Sequence, residues 1–255
     1  MEVKYYKVID STNDEAARLL DGGLVEQNSS FVVRADYQTD GRGQRGNVWR
    51  SNNAENLMFS YVFFPKKVLA SDQFFILQAA ALSVADYLKS RGLPDVKIKW
   101  PNDIYCGMRK TCGMLIENAV SGRFIKHCIV GIGLNINQKV FPESLPNPVS
   151  MSLLTKKNYN LDEEFETLCK ILEQKLTDAE KNPNELHKKY LENLLGLEKT
   201  LIYRANGVFF KGIIKNVDNR GLLTVENAES GETGVYDFKE IELVVPEQQK
   251  NTIGF

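Results

Sequence analysis

The chain has 255 residues, of which 43% are hydrophobic and 25% charged, and a formal net charge of −1. That length suits one large domain plus a small one, and the near-neutral charge gives no footing for a nucleic-acid or membrane surface. The opening Met1-Glu2-Val3-Lys4-Tyr5-Tyr6-Lys7 has no apolar core of a secretory signal, and the most apolar stretch, Phe74 to Leu88, is broken by Gln78, Ser83 and Asp86.

The first helix is expected from about Asn13 to Leu20. Ser11 and Thr12 stand at its start, Glu15 completes a capping box with Thr12, and Gly22-Gly23 ends it. Phe31 to Ala35 reads as a strand leading into Gly41-Arg42-Gly43-Gln44-Arg45-Gly46-Asn47-Val48-Trp49-Arg50. Here glycine lets main-chain amides approach a ligand, arginine supplies planar forks for carboxylate or phosphate, and the indole offers a stacking surface. Such a loop suits a small anion that must be enclosed and later released; a solvated Gly/Arg loop with one packed tryptophan accounts for it equally well. A P-loop is excluded because no Gly-Lys-Ser/Thr follows. The dinucleotide fingerprint fails because Leu57–Phe63, downstream, is strand-like where a helix is required.

Ser71 is expected to cap a long helix from Gln73 to about Ser90, ended by Gly92 and Pro94. Four strands follow, Val96–Trp100, Ile104–Cys106, Gly113–Asn118 and Phe124–Val130, joined by short polar connections that imply an antiparallel meander. Lys99-Trp100-Pro101-Asn102-Asp103 ends the first of these with a proline-directed turn; a plain Asn-Asp turn is the simpler explanation of that stretch alone. Gly131-Ile132-Gly133-Leu134-Asn135 has glycines where backbone passes close to something, or where a strand bends. Two helices come next, one with Phe165, Leu168, Cys169, Leu172 and Leu176 on one face, the other after Pro183. Beyond Gly196, short strands at 201–203, 208–217, 222–225, 235–238 and 241–245 indicate a small β-barrel. Cys106, Cys112, Cys128 and Cys169 lack CxxC spacing, which argues for reduced, buried thiols in a cytoplasmic protein and against structural zinc.

In this order, Ser11-Thr12-Asn13, Tyr37-Gln38, the Gly41–Trp49 loop, Lys99-Trp100-Pro101-Asn102-Asp103, Arg109-Lys110, Gly113-Met114-Leu115-Ile116-Glu117 and Gly131–Asn135 resemble the biotin protein ligases. The resemblance extends over essentially the whole chain. It implies an α+β fold with a mixed, largely antiparallel sheet and helices, of the class II synthetase/biotin ligase type, followed by an SH3-like β-barrel. The expected domains are 1–195, catalytic, and 196–255, the barrel.

It also implies a two-step reaction. Biotin and ATP, with Mg2+, give biotinyl-5′-AMP, and a lysine of a biotin carboxyl carrier domain then receives the biotinyl group. Two anions must meet, so positive charge is needed without a competing nucleophile. The implied catalytic residues are Lys110, Arg42, Lys99 and Asp103. Biotin falls to Ser11, Thr12, Gln38, Gly41, Arg42, Lys110, Gly113 and Leu115, and the nucleotide to Arg45, Trp49, Asn102, Gly133 and Asn135. Asp103 is left open as base, orienter or metal ligand, and no residue is assigned to a metal. With only ten residues before Ser11, a DNA-binding repressor function is expected to be absent, as is any membrane partner; a monomer or a homodimer fits. Gln44 and Asn47 stand where some relatives have arginine, which reduces the loop's charge. A lipoate–protein ligase or octanoyl transferase of the same fold is the alternative, weakened by the lack of an Arg-Arg-x-Ser-Gly-Gly loop.

Overall fold

The computed structural model describes residues 1–26 and 28–245, apart from the side chain of Arg45. Two sheets organise it. The first has seven strands: β1 (Glu2–Ile9), β2 (Phe31–Gln38), β3 (Leu57–Phe63), β4 (Val96–Lys99), β5 (Asp103–Cys106), β6 (Arg109–Ser121) and β7 (Phe124–Leu134), in spatial order β1-β2-β3-β7-β6-β5-β4. β1 runs parallel to β2, with helix α1 (Thr12–Asp21) as the crossover, and every other pairing is antiparallel. The expected meander is thus β4 to β7, and the sheet is mixed but largely antiparallel.

Alternation along these strands sorts residues onto two faces. One face carries Phe59, Tyr61, Met114, Val130 and Ile132, all buried, and is covered by α2 (Phe74–Ser90) and α4 (Leu161–Ala179), with α5 (Pro183–Glu192) packed on α2. Phe59 meets Phe165 edge to face, with ring centroids 5.3 Å apart. Burying each such ring contributes roughly 1.5–3 kcal/mol. On the other face, α1 covers only part of the sheet: Ala16 and Leu19 pack on Phe31, Val33, Val62 and Ile129. The rest of that face, toward β6 and β5, is left for something else.

The second sheet joins β8 (Thr200–Ala205), β9 (Val208–Val217), β10 (Leu223–Asn227), β11 (Thr233–Tyr236) and β12 (Ile241–Leu243) in the order β11-β10-β9-β8-β12, all antiparallel and compatible with the expected small barrel. It docks on the first sheet through Phe238, whose ring lies 5.3 Å from Trp100, and through a 2.9 Å hydrogen bond from Trp100 Nε1 to the Gly221 carbonyl. Gly221 has φ +94, and a side chain there would meet the Phe74 ring at 2.6 Å.

Several local expectations need correction. The N-cap of α1 is Ser11, whose hydroxyl accepts from the Asp14 amide at 3.4 Å. Thr12 and Glu15 form no capping box: the Thr12 hydroxyl bonds Gln38, and Glu15 accepts from Tyr6 and Arg18. Ser71 does not cap α2, because residues 70–72 form a separate turn and the cap position falls to Gln73. Strand β1 and the short helix α3 (Met151–Thr155) were not foreseen.

Candidate active site

Sheet register assembles the cavity floor. On the face that α1 leaves open, Lys99 pairs with Asp103, Asp103 with Gly113, Gly113 with Gly133, and Gly133 with Met58, giving one continuous row across five strands. The next row on that face runs Leu115, Gly131, Ser60. The glycines of β7 therefore lie inside a regular strand, and no bend explains them. Each accommodates a neighbour instead. A Cβ on Gly133 would fall 2.4 Å from the Trp49 ring, and one on Gly131 would fall 2.2 Å from Asn13 Oδ1.

Lys110 reaches this face because of a β-bulge. Ile104 pairs with Cys112 but Tyr105 pairs with Lys110, so Thr111 is an extra residue. A one-residue slip moves a side chain to the opposite face, and Lys110 duly lies over Gly113, with Nζ 3.2 Å from where a Cβ would stand. The displaced backbone is satisfied elsewhere. Lys110 N donates to Asn147 O at 2.8 Å, and Lys110 O accepts from Val149 N at 2.9 Å.

The cavity above these rows encloses about 470 Å³ and is walled by the first turn of α1, the 41–49 loop, the Lys99–Asp103 turn, β6, β7 and the second sheet. It brings together Ser11, Thr12, Gln38, Arg42, Trp49, Lys99, Asn102, Asp103, Lys110, Gly113, Leu115 and Gly133. The structure does not bring two of the expected residues to its wall. Asn135 is buried behind it, donating to Val149 O at 3.3 Å, and Gly41 lies under the loop, where a side chain would meet Trp49 O at 2.6 Å. The side chain of Arg45 lies outside the described residues.

At one end, Thr12 donates from both its amide and its hydroxyl to Gln38 Oε1, at 2.8 and 3.0 Å, and Ser60 Oγ sits 2.8 Å from Thr12 Oγ1 and 2.6 Å from Asn13 Oδ1. These are neutral, directional groups suited to an uncharged polar ring. In the middle, the Trp49 indole lies on Gly133 and Gly113, its Nε1 buried without a hydrogen-bond partner, and Lys110 Nζ is 5.9 Å from the ring. The loop that carries Trp49 folds on itself through Trp49 N to Gly41 O and Gly43 N to Asn47 O, both 2.7 Å. At the other end, Lys110 Nζ pairs with Asp103 Oδ1 at 2.7 Å. Lys99 is deeply enclosed by protein while keeping part of its surface toward the cavity; that burial pulls its pKa below the ordinary lysine value, against the pull of Asp103. Asn102 is spent on the fold, donating to Met114 O and accepting from Met114 N at 3.0 Å.

Two contributions escaped the sequence reading. Arg42 is held by carboxylates, Asp14 on Nη1 and Glu117 Oε1 on Nη2 at 2.7 Å. A signal for Glu117 existed, since it alternates with Gly113 and Leu115 along one strand face. The second sheet supplies Tyr203, Leu223, Phe238, Lys239 and Glu242 to the wall, which no motif announced. Among the described residues, no group of three or more His, Cys, Asp or Glu could hold a metal ion, and the four cysteines are free and buried. None of the described helices is long and apolar enough to cross a membrane.

A mixed sheet with one helix-packed face, a glycine-floored and lysine-flanked cavity on the other, and a small antiparallel sheet closing it define an enzyme of the acyl-ligase class. The chain belongs to the Biotin/lipoate A/B protein ligase family, whose model matches residues 5–135. It is 30% identical over 226 residues to the bifunctional ligase/repressor BirA of Escherichia coli, covering 86% of this chain and 67% of that one. It is 37% identical over 128 residues to a biotin–[acetyl-CoA-carboxylase] ligase of Paracoccus denitrificans, half of each chain (50% and 51%). In structure it is similar to the biotin protein ligase of Aquifex aeolicus in complex with biotin and ATP, with a TM-score of 0.72, 25% identity, and 92% and 98% of the two chains covered.

Proposed function

We propose that this chain is a biotin–protein ligase that activates biotin with ATP and passes it to a lysine of a biotin carboxyl carrier domain in the cytoplasm. The observation that carries this reading is the floor row Lys99–Asp103–Gly113–Gly133 with Lys110 bulged onto it. It gives a glycine floor faced by the Trp49 indole and flanked by two lysines, next to neutral hydrogen-bonding groups at Ser11, Thr12 and Gln38. A bicyclic, uncharged head with an acidic tail matches that gradient from neutral to cationic.

Biotin's ureido ring would be read by Ser11, Thr12 and Gln38, and its bicycle would lie along Gly113 and Leu115. Its carboxylate then attacks the α-phosphorus of ATP; the bond from that phosphorus to the bridging oxygen breaks, and pyrophosphate leaves. Lys110 and Arg42 hold the two anions together, and Lys99 adds charge from below. In the second step the acceptor amine attacks the acyl carbon, the bond to the phosphate oxygen breaks, AMP leaves and the amine sheds a proton. Asp103, relinquished by Lys110 when that lysine turns to the anions, orients or deprotonates the amine. Trp49 and Asn102 border the nucleotide, with Gly133 as the seat of the indole and Arg45 on the same loop.

Magnesium is proposed to arrive with the phosphates of ATP. The described residues offer no cluster of three ligating side chains. The test is mass spectrometry of a carboxylase carrier domain incubated with the chain, ATP, magnesium and biotin. Addition of one biotinyl group is expected. Modification by lipoate in its place would favour the alternative within the family.

A further inference from the structure

The turn that carries Lys239 is built around a conformation that a lysine does not favour. Glu240 N donates to Asp237 O at 3.1 Å, closing a four-residue turn, and Lys239 is its third residue, with φ +72. Glycine or asparagine ordinarily fills that position of a type II turn, because a Cβ crowds the backbone there. The turn is held by its own carboxylates: Asp237 N donates to Glu240 Oε2 at 2.7 Å, and Phe238 N donates to Asp237 Oδ1 at 2.6 Å. Strain of this kind persists where the surroundings impose it, and it gathers at ligand clamps. Among the described residues seven non-glycine positions have positive φ, and of these Lys239 alone borders the cavity.

Packing sets which end of the cavity the turn borders. Phe238, one residue earlier, has its ring 5.3 Å from that of Trp100, and Trp100 directly follows Lys99. The turn therefore lies over the Lys99–Asp103 turn, at the cationic end. The carboxylates around Lys239 are engaged elsewhere. Those of Asp237 and Glu240 accept from the turn's own amides, and Glu242, on the same wall, takes Arg204 Nη2 at 2.6 Å. The second sheet thus brings an exposed ammonium to the cavity mouth at a point where its backbone resists a side chain.

We propose that Lys239 is a phosphate-binding residue that meets the terminal phosphates of ATP and holds the pyrophosphate as it leaves. This rests on the ligase reading for the identity of the nucleotide. When biotin's carboxylate attacks, the bond from the α-phosphorus to the bridging oxygen breaks, and its electron pair departs with the pyrophosphate. Lys110, Arg42 and Lys99 serve the carboxylate and the α-phosphate, so the charge that gathers on the leaving group falls to another cation. An ammonium suits it, being a compact point charge on a flexible stem that can follow a phosphate toward solvent. Glycine in its place would make the turn more stable and the site weaker.

The test uses the full-length chain with two substitutions. Lys239→Gly relieves the backbone, whereas Lys239→Met keeps a long stem and the strain but removes the charge. Biotin-dependent exchange between ATP and labelled inorganic pyrophosphate, with magnesium present, yields a KM for pyrophosphate. That KM should rise about 5- to 50-fold in both variants, the worth of one charge-assisted contact at a solvent-open mouth, while biotin's Kd stays near wild type. The melting temperature should rise by about 2–4 °C, in Lys239→Gly alone. Lys211→Ala, which removes a lysine of the same sheet that does not line the cavity, should leave the KM unchanged. The inference is overturned if the pyrophosphate KM moves by less than about twofold in Lys239→Met, if Lys211→Ala raises it as much, or if Lys239→Gly loses stability together with affinity. The ligase reading fails separately, and visibly, if the wild-type chain catalyses no biotin-dependent pyrophosphate exchange.

Discussion

Lys110 illustrates how much one side chain depends on its backbone. The bulge at Thr111 turns it onto the glycine floor, and Asp103 holds it there at 2.7 Å. If it stabilises the charge that develops as carboxylate meets phosphate, Lys110→Ala should lower biotin-dependent pyrophosphate exchange by about 10²- to 10³-fold while leaving the melting curve near wild type. An exchange rate close to wild type would remove Lys110 from the chemistry. Lys99 makes a different prediction, about pH. Burial depresses its pKa below the ordinary 10.5, so its positive charge is lost as pH rises through that lowered value. ATP affinity should therefore decline at a pH where an ordinary lysine is still charged, whereas Lys99→Arg should stay flat over the same range. Stability has the opposite sign. Between the two pKa values the unfolded chain binds the extra proton, so this residue's contribution to stability grows as pH climbs through that window. Fluorescence titrations of ATP on both proteins at several pH values decide the first claim, and urea melts the second.

Strands β6 and β7 earn their glycines one at a time. Gly131→Ala would drive a methyl into Asn13 Oδ1, inside a network that includes Ser60 and Glu117. The expected loss is about 1–3 kcal/mol of stability, read from a denaturant midpoint. Gly133→Ala meets Trp49, a side chain on a loop that can shift. Its cost should therefore fall on nucleotide affinity, about two- to tenfold for a displaced stacking surface, with little change in the melting midpoint. The reverse pattern for the two variants would contradict this division. Most of these elements were legible beforehand because their apolar spacing was strong: α2 matches its expected span closely, and the meander strands were found in the right order, although β6 and β7 run several residues longer than expected. β1 was not, because an edge strand half in water shows no clean alternation of buried and exposed residues. The capping error at Thr12 has a similar origin. Local sequence offered Glu15 as its partner, but the tertiary fold offered Gln38, from a strand the helix crosses, and the latter prevailed.

Across the molecule the two sheets share one hydrophobic core, in which Phe74, Trp100 and Phe238 meet. We propose that they are nevertheless two domains divided near Gly196. A chain ending at Gly196 would expose Trp100 and leave its indole N–H without the Gly221 carbonyl. It should still unfold cooperatively, but at a lower temperature, and it should lose ligation because the cavity loses the wall that includes Phe238 and Lys239. An insoluble product, or one without a cooperative transition, would refute the division; full ligase activity would refute the wall. The particular residues of that wall are what the sequence did not reveal. Motifs mark residues that cluster along the chain, whereas Tyr203, Phe238 and Lys239 reach the cavity only through docking of one sheet on another.

The pairing of β3 with β7 has a consequence for where ligand binding is felt. Leu57–Phe63 lies against Cys128–Leu134, and this seam joins two stretches of chain remote in sequence. Ser11, Thr12, Gln38, Arg42 and Trp49 come from one side of it, and Lys99, Asp103, Lys110 and Gly113 from the other. A ligand that takes contacts from both sides resists any fluctuation that parts the seam. Bound ligand at a hundred times its dissociation constant adds about 2.7 kcal/mol against every such opening. Hydrogen exchange of the Leu57–Phe63 amides should slow accordingly, while the far tip of the β6–β7 hairpin, at Ser121–Phe124, should exchange at its former rate.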